Sequence, residues 1–547
     1  MSVNTPRRCD VIVLGGGDNG LLCAAYLAKA GAKTLLLERH NTWDYVGGLR
    51  TDEFQGPYRF DLLPPYLLTL GERAPCHNGL ALHQHGLAYI TPPVQIAFHH
   101  QDARALVLHH DSQKSAAAIA RFNAADAKRF LAMYAEVQRL CEEVLIPSLY
   151  ARDGRAQVAA QFDSGPLGKR LAELAARTPV EIIDTFGFVS PRVREAMLYL
   201  ATFWGLDPHE ADVGHVAVLW LYCMMNASLA RSGNVAAARA MYQCFLQNGG
   251  DYPGNVRVER ILLSRKESCK ESRNDSVKRA IGVRLDDGRE IHARAVVSTL
   301  NLEETFLELI GANDISNELV EACRTWSWDG PAFLTCHYGY KGEAPAYHAA
   351  RYDPDTNAAY IHVFGVERAG DVDTLYRTIR SGAIPEGHGR AVCTTQFDEF
   401  HAGFGRVYGP LQALRFDVPV PFRLKHPGWN AAATTRRDAA LETWRTYASN
   451  VVDGPLSYSS IVTPAELQRR LPSFKCGSLL GGACTSGRMG YGDTRPGADY
   501  RSEIPGLYMG GAPTHAGGVI HFAAGYNAAG AVADDLNLQA TCTTRDI

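Results

Sequence analysis

The residues whose types and spacing most clearly indicate chemistry are three glycines near the N-terminus. They follow the apolar stretch Val11–Leu14 in the spacing G-x-G-x-x-G and precede a long segment of helical periodicity. In this arrangement Gly15 permits a tight turn, Gly17 lets the backbone approach a phosphate, and Gly20 allows the helix to pack closely on the strand. The pattern therefore predicts a pyrophosphate at the helix N-terminus, where free N–H groups and the helix dipole favour an anion.

A carboxylate follows at the place where such folds bind a ribose. The next apolar stretch, Thr34–Leu37, ends on Glu38, eighteen residues after Gly20. A carboxylate there can accept hydrogen bonds from the adenosine ribose, and it would repel the 2′-phosphate of NADP. FAD and NAD therefore fit this site and NADP does not. A glycine-rich turn that binds nothing is disfavoured, because strand, glycines, helix, strand and acid occur in the required order.

Two further observations favour flavin over nicotinamide. Gly47 and Gly48 come soon after the ribose acid, where NAD dehydrogenases usually have another plain βα unit. The chain contains no second G-x-G-x-x-G flanked by a strand and a helix. Enzymes that pass electrons from nicotinamide to flavin on this kind of scaffold generally carry two such motifs. The sequence therefore predicts a site for one tightly bound dinucleotide.

Length, charge and cysteine content restrict the class of protein. The chain has 547 residues, more than a single core usually supports, so two or more domains are expected. A formal net charge of −3 means that the chain lacks the excess of positive charge that is typical of proteins that bind nucleic acid. The thirteen cysteines include no C-x-x-C pair, which argues against a disulfide framework and against a zinc site. We therefore expect neither nucleic acid nor metal as a partner.

The apolar segments indicate the cellular location. The N-terminus leads directly into the first strand and leaves no room for the apolar region of a signal peptide. The longest apolar run, 216–225, is about half of the ~20 residues that a membrane-spanning helix needs. We expect a cytoplasmic protein, and peripheral contact of an apolar surface helix with a membrane stays open.

Motifs at both ends of the chain resemble one family of flavoproteins. The likeness is carried by GGGDNGLLCAAYLAKAG, by VGGLRTDEFQGPYRFD, by IVTPAELQRRLP and by PGLYMGGAPTHAGGV followed by GYNAAG. Together these segments are similar to the FAD-dependent phytoene desaturase, carotenoid isomerase and retinol saturase family, which includes a pyridine nucleotide-disulfide oxidoreductase-like branch. The two ends match specifically, and the middle of the chain matches in outline.

The resemblance implies an α/β fold with a Rossmann-type FAD-binding domain and an inserted α+β substrate domain, as in flavin amine oxidases and phytoene desaturases. The FAD-binding domain is expected to be discontinuous and to comprise residues 1–100, 250–311 and 466–547. The substrate-binding domain is expected to comprise residues 101–249 and 312–465, with a helical part at 115–232. Within that part, apolar residues at helical spacing predict an amphipathic helix in 123–144.

The resemblance also assigns cofactor-binding residues. In this family FAD lies extended, with its pyrophosphate on the first helix and its isoalloxazine ring under the C-terminal glycine segment. The N-terminal residues implied to bind it are Gly15, Gly17, Asn19, Gly20, Glu38, Arg39, Gly47, Gly48, Leu49 and Arg50. The backbone of Val258 is implied to contact adenine. The residues implied at the flavin end are Gly511, Gly517, Gly518 and Val519.

Three departures from the family pattern fall near the substrate face of the flavin. Ala516 stands where T-H-P-G-G has proline, and Leu63 stands where F-D-x-G-P has glycine. His521 stands where a small residue is common. These departures bear on the substrate more than on the cofactor.

The predicted chemistry is transfer of a hydride from a substrate C–H bond to N5 of the flavin. We expect an FAD-dependent oxidoreductase that dehydrogenates a hydrophobic or alicyclic small molecule, with O2 or a quinone reoxidising the flavin. His515 and His521 are the candidate catalytic residues, because a histidine with its ordinary pKa of ~6.5 can take the second proton. For each of them, a hydrogen bond to a backbone or cofactor carbonyl is the alternative role.

Three other functions stay open at this point. A flavin amine oxidase shares the glycine motif and the GG segment, although such enzymes usually place a lysine at the flavin and the C-terminal motif has none. A carotenoid isomerase would use reduced flavin without net oxidation. A protein like the Rab GDP-dissociation inhibitors would bind lipid without flavin, and retention of both ends of the FAD site argues against it.

Overall fold

The structure is a computed structural model of the protein. It describes residues 8–40, 58–67, 70–150, 165–265, 278–402, 410–425, 428–452, 458–486, 500–515, 517–518 and 522–538. The strands are β1 Val11–Leu14, β2 Thr34–Leu37, β3 Tyr89–Ile90, β4 Val94–His99, β5 Ala105–His109, β6 Leu229–Ala230, β7 Val258–Arg265, β8 Lys278–Leu285, β9 Glu290–His292, β10 Ala295–Ser298, β11 Ala332–Lys341, β12 Ile361–Phe364, β13 Gly389–Cys393, β14 Leu411–Val420, β15 Tyr458–Val462 and β16 Leu507–Met509. The helices are α1 Asp18–Lys29, α2 Cys76–Leu80, α3 Ser112–Ala120, α4 Ala124–Leu140, α5 Ile146–Leu149, α6 Gly165–Ala175, α7 Pro179–Thr185, α8 Pro191–Ala201, α9 Gly214–Met224, α10 Val235–Gln247, α11 Asn317–Arg324, α12 Asp371–Arg380, α13 Trp429–Tyr447, α14 Pro464–Arg470 and α15 Ala523–Leu536.

A four-stranded parallel sheet joins three distant stretches of the chain. Its strand order is β16-β10-β1-β2, and β1 pairs in parallel with both β10 and β2. The strands are buried along their length, as expected for a parallel sheet covered on both faces. α1 makes the crossover from β1 to β2, and Gly31 adopts a φ of +87° in the turn after it. The predicted α/β fold class with a Rossmann-type sheet is confirmed.

α1 and α15 are tied together where both helices begin. The side-chain Oδ1 of Asn19 accepts a hydrogen bond from the backbone N–H of Gly525 at 3.0 Å. A Cβ on Gly525 would lie 2.2 Å from the carbonyl oxygen of Asn19, so only glycine permits this approach. Further along, the rings of Tyr26 and Tyr526 meet edge to face at 5.1 Å. The positive ends of two helix dipoles are therefore neighbours.

A larger mixed sheet follows the order β15-β11-β14-β13-β12-β4-β5. Its pairs are antiparallel except for β12 and β4, which are parallel. The β4–β5 hairpin belongs to this sheet, so a domain boundary at residue 100 would divide the hairpin between its two strands. The exact division into domains stays a prediction.

The helical region has one amphipathic and one fully apolar helix of note. α4 begins after Asn123, whose side chain accepts hydrogen bonds from the N–H groups of the first turn, as an N-cap residue does. α9 is buried on all sides, so its apolar residues form core. Among the described residues, no helix combines the length and the apolar character that crossing a bilayer requires.

Buried histidines in the larger sheet have lowered pKa values. His99 Nε2 and His362 Nδ1 lie 2.9 Å apart, and the Tyr347 ring stacks on both imidazoles. Burial lowers the pKa of His99 well below its ordinary value, with His362 adding to the effect, and it lowers the pKa of His362 to about 3. Burial, followed by the charge of Arg415, lowers the pKa of His337 to about 3 as well.

We expect these histidines to make the protein less stable as the pH falls. Below the ordinary histidine pKa of 6.5 the unfolded chain binds protons that the folded chain excludes, so the free energy of unfolding decreases from about pH 6.5 toward pH 3. Each such histidine contributes at most about 1.4 kcal/mol per pH unit. Thermal unfolding followed by circular dichroism should show a Tm that decreases as the pH is lowered from about 6.5. The Tm of His362→Phe should decrease less steeply over the same pH range. A Tm that does not change between neutral and mildly acidic pH would contradict this prediction.

Candidate functional site

A cleft of about 480 Å³ lies at the carboxyl ends of β1, β2 and β10. This volume is within the usual range for small-molecule and cofactor sites. In open α/β sheets, ligands bind at this edge of the parallel strands. The lining residues on the sheet side are Leu14, Gly15, Gly17, Asp18 and Asn19, residues 37–40, residues 256–259 and residues 299–301. Those on the opposite side include Leu63, residues 471–474, Ser478, Leu479, Gly481, Ala512, Pro513 and Gly518.

The turn from β1 into α1 has open space for a phosphate. Gly15 adopts a φ of +95°, which favours glycine. Gly17 precedes the helix, and its N-terminus has no side-chain cap from the described residues. A Cβ on Gly17 would meet no atom of the described chain within 4 Å, so no described side chain covers the backbone at this position. A Cβ on Gly20 would instead lie 1.9 Å from the carbonyl oxygen of Gly15, which explains the third glycine.

Glu38 at the end of β2 is held in place by three donors. Its Oε2 accepts from the backbone N–H of Gly16 at 2.7 Å, and its Oε1 accepts from the N–H of His40 at 3.0 Å. His40 Nδ1 also lies 2.8 Å from Oε1. Burial alone would raise the pKa of Glu38, but these hydrogen bonds lower it on balance. A fixed carboxylate therefore lies where a ribose hydroxyl can donate to it.

Other charged side chains surround this end of the cleft. Arg39 Nη1 donates to Glu304 Oε1 at 3.1 Å, and burial raises the pKa of Glu304 despite this partner. Burial also raises the pKa of Asp18, in the first turn of α1. Val258, at the start of β7, lines the cleft, and its backbone contact with adenine stays a prediction.

The C-terminal glycine segment contributes to the lining of the same cleft. A Cβ on Gly518 would lie 2.6 Å from the carbonyl oxygen of Leu479. A Cβ on Gly511 would lie 2.6 Å from the carbonyl oxygen of Thr299, so Gly511 packs behind the wall and Gly518 lines it. Gly517 adopts a φ of +73° between them. The structure therefore brings both glycine motifs to one cleft.

The predicted residues are not all on this surface. Gly47, Gly48, Leu49, Arg50, Val519 and His521, with Ala516, lie outside the described residues. Leu63 lines the cleft. His515 has Nε2 3.3 Å from the carbonyl oxygen of Ser148, a contact of the kind expected for its alternative role. The catalytic roles of His515 and His521 stay predictions.

Two segments that line the cleft were not identified as candidate cofactor-binding residues from the sequence. Residues 299–301 follow β10, which pairs with β1 and lies in the stretch 250–311 expected to belong to the FAD-binding domain, but no motif singled these three residues out. Residues 471–481 begin with Leu471 and Pro472, the end of the segment IVTPAELQRRLP, and carry no recognisable motif beyond them. The segment is held by an ion pair of Lys475 with Glu303 and by a hydrogen bond from Trp326 Nε1 to Gly481 O at 3.0 Å.

A buried ion pair joins the larger sheet to the segment that reaches the cleft. In β14, Asp417 accepts hydrogen bonds from Arg415 Nε at 2.7 Å and from the Thr335 hydroxyl at 2.6 Å. Burial alone would raise the pKa of Asp417, but Arg415 and the hydroxyl donors hold it below its ordinary value. Arg415 Nη1 donates to the carbonyl of Asp61 at 2.7 Å, two residues before Leu63.

The parallel sheet, its glycine-rich turn and the ribose carboxylate define a dinucleotide-binding protein with a second, mixed sheet. Residues 20–306 match the family described as Flavin containing amine oxidoreductase, and the chain belongs to this family. The flavoprotein class inferred from the motifs is thereby confirmed.

Two relatives and one solved structure resemble the chain over almost its whole length. A limonene dehydrogenase component from Castellaniella defragrans is 32% identical, and the match covers 99% of this chain and 97% of the relative. Pyridine nucleotide-disulfide oxidoreductase domain-containing protein 2 of Mus musculus is 26% identical, and the match covers 96% of this chain and 94% of the relative. Cyclohexylamine oxidase from Brevibacterium oxydans shares the fold, with a TM-score of 0.55 at 16% identity. The match covers 97% of this chain and 99% of that structure.

The chain is an FAD-dependent oxidoreductase. The residues present fit the cofactor, because the bare backbone at Gly17 suits a pyrophosphate and Glu38 suits a ribose. When bound, FAD supplies a hydride acceptor at N5 of its isoalloxazine ring. The chain supplies the cleft that would orient the cofactor.

Proposed function

We propose that this chain dehydrogenates a hydrophobic or alicyclic small molecule at a CH–CH bond, with the hydride passing to flavin N5. The observation that carries the proposal is the similarity along 99% of the chain to a relative named as part of limonene dehydrogenase. Limonene is an apolar alicyclic hydrocarbon, and hydride transfer to flavin is a route for oxidising such a C–H bond. The proposed cofactor-binding residues are those assigned in the sequence analysis.

Aromatic side chains beyond Leu63 form a buried group around Arg390. Tyr66 packs edge to face on Phe203 with ring centroids 5.6 Å apart. The guanidinium of Arg390 lies 3.6 Å from the centroid of Phe203 and 4.8 Å from that of Phe333. These side chains are buried and are not among the residues that line the cleft, so they belong to the core.

The electron acceptor belongs to the same proposal. O2 or a quinone would reoxidise the flavin after substrate has been converted. Rapid mixing of the anaerobically reduced protein with air-saturated buffer or with a soluble quinone would identify the faster acceptor.

The test begins with the visible absorption spectrum of the purified protein and with identification of the released chromophore. Anaerobic protein is then mixed with limonene and other alicyclic alkenes, and in parallel with cyclohexylamine. We expect flavin bands that bleach with a hydrocarbon and persist with the amine. Dithionite serves as the control that the flavin can be reduced.

Each other outcome points to a different function. Bleaching by amines alone would overturn the proposal in favour of an amine oxidase. Conversion that needs a reductant without consuming it would indicate an isomerase. A colourless protein that also fails to bind added FAD would contradict the oxidoreductase assignment and favour a lipid-binding protein.

A further inference from the structure

A histidine side chain holds one oxygen of the Glu38 carboxylate in the cleft. His40 and Glu38 both line the cleft, directly after β2. Burial alone would raise the pKa of Glu38, but its hydrogen bonds lower it on balance, so the carboxylate is ionised at neutral pH. An ionised carboxylate only accepts hydrogen bonds, so His40 Nδ1, 2.8 Å from Oε1, must carry hydrogen and donate. The backbone N–H of His40 donates to the same oxygen at 3.0 Å, so His40 makes two hydrogen bonds to Oε1.

The backbone of the neighbouring segment fixes the positions of both residues. The N–H of Val256 donates to the carbonyl of Glu38 at 2.8 Å, and the N–H of Asn255 donates to the carbonyl of His40 at 3.2 Å. This segment leads into β7, where Val258 also lines the cleft. The place of the imidazole therefore does not depend on its contact with Glu38 alone.

The other oxygen of Glu38 lies against the glycine-rich turn. Oε2 accepts a hydrogen bond from the backbone N–H of Gly16 at 2.7 Å. A Cβ on Gly16 would lie 3.2 Å from this oxygen and 3.1 Å from Cγ of Glu38, so the carboxylate packs directly on the turn. The carboxylate is therefore held between two sets of donors, with Oε1 bound by His40 and Oε2 bound by Gly16.

These donors leave little of the carboxylate for a ligand. A carboxylate has about four positions for donors, two on each oxygen. Within the described part of the chain, His40 fills both positions on Oε1, and Gly16 fills one position on Oε2. A single acceptor position remains, and it belongs to Oε2.

We propose that His40 is a positioning residue that fixes Oε1 of Glu38 and so leaves Oε2 to accept from a single hydroxyl of the adenosine ribose. The inference rests on the proposed placement of the ribose at Glu38 and is independent of the substrate. His40 prevents the carboxyl group from turning and from binding both ribose hydroxyls at once. A carboxylate that is oriented before the ligand arrives loses less conformational freedom on binding, which increases the affinity for FAD.

The chain offers both a conservative variant and a matched control. Nδ2 of an asparagine is as many bonds from the backbone as Nδ1 of a histidine, so His40→Asn keeps a donor for Glu38, whereas His40→Ala removes it. His209 makes a similar contact elsewhere, with Nε2 2.9 Å from Oδ1 of Asp373, and neither residue lines the cleft. His209→Ala therefore removes an equivalent histidine–carboxylate contact away from the cofactor.

The first measurement is the Kd of the full-length apoprotein for FAD, followed by flavin fluorescence. We expect His40→Ala to weaken binding roughly 10-fold, as for loss of a hydrogen bond to a charged group. His40→Asn should restore most of this affinity, and His209→Ala should leave it unchanged. An unchanged affinity in His40→Ala, or an affinity in His40→Asn as weak as in His40→Ala, would overturn the proposal.

The second measurement compares FAD with analogues that lack either the 2′- or the 3′-hydroxyl of the adenosine ribose. In the unsubstituted protein, we expect loss of one of these hydroxyls to weaken binding roughly 10-fold. Glu38→Ala should abolish the sensitivity to that hydroxyl and leave the sensitivity to the other unchanged. A Glu38→Ala variant that loses sensitivity to both hydroxyls would overturn the proposal.

The Glu38→Ala variant also separates this inference from the proposed placement of the ribose. If His40 acts through Glu38, adding His40→Ala to Glu38→Ala should cause no further loss of affinity. A further loss as large as in the unsubstituted protein would contradict the positioning role alone. An unchanged FAD affinity in Glu38→Ala would contradict the placement of the ribose, and this inference with it.

Discussion

Gly17→Ala is expected to give a correctly folded protein that has lost most of its affinity for FAD. The added methyl carbon would meet no atom of the described residues within 4 Å, and the backbone there is extended, so the fold has no reason to change. The same carbon would occupy the space into which the pyrophosphate must come. We expect this overlap to cost about 1–3 kcal/mol of binding free energy, which corresponds to a roughly 5- to 150-fold weaker affinity.

Gly20→Ala is the matched comparison, because its effect should appear first in folding. The added carbon would lie 1.9 Å from the carbonyl oxygen of Gly15, so the turn and α1 must separate. We expect a lower Tm for the apoprotein and loss of FAD as a consequence. Titration of each apoprotein with FAD, followed by flavin fluorescence and thermal unfolding, separates the two cases. Full FAD affinity in Gly17→Ala would contradict the placement of the pyrophosphate at this turn.

Asp417→Ala is expected to be among the most destabilising single substitutions in the larger sheet. It removes the carboxylate that pairs with Arg415 and that accepts hydrogen bonds from the hydroxyls of Thr335 and Tyr66. Breaking a buried pair by removing one partner leaves an uncompensated charge and costs about 3–5 kcal/mol. Arg415 also holds the carbonyl of Asp61, so the segment at the cleft should loosen.

Two further variants control for this effect. Glu386→Ala breaks an ion pair with Arg436 in which the glutamate side chain is 82% exposed, and we expect a loss below about 1 kcal/mol. Asp417→Asn keeps one oxygen acceptor and should fall between the two. The Tm of the three holoproteins, with the FAD absorption spectrum as a check on the cleft, is the measurement. A Tm for Asp417→Ala equal to that of Glu386→Ala would contradict the role assigned to the buried pair.

Local patterns were sufficient to predict the first βαβ unit. β1 and β2 begin and end at the predicted residues, because short apolar runs bounded by glycine and charged residues indicate buried strands. The amphipathic helix predicted in 123–144 corresponds to α4, because its apolar spacing and the capping side chain of Asn123 are both local signals. Positive φ at Gly15 likewise follows from the glycine motif.

Long-range pairing was beyond the reach of these patterns. β4 pairs in parallel with β12, and no periodicity in either strand shows which distant strand it joins. The cleft wall at 471–474 follows a helix with a clear N-cap at Thr463, but nothing in the segment itself indicates a cofactor. Sequence reasoning selected His515 and His521 because both lie in the C-terminal glycine segment, where the flavin ring is expected. It had no means of showing that the ring of His77 packs against Phe522, more than four hundred residues away in sequence.

The sequence alone determined the class of ligand, because a phosphate-binding turn and a ribose carboxylate require particular residue types at short, fixed spacings. Only the tertiary structure decided which side chains meet beside the start of α15 and which polar atoms of the described residues there lack partners. Those properties arise from contacts between α2, β3 and the start of α15, and hydrogen-bond satisfaction depends on the whole surrounding of an atom.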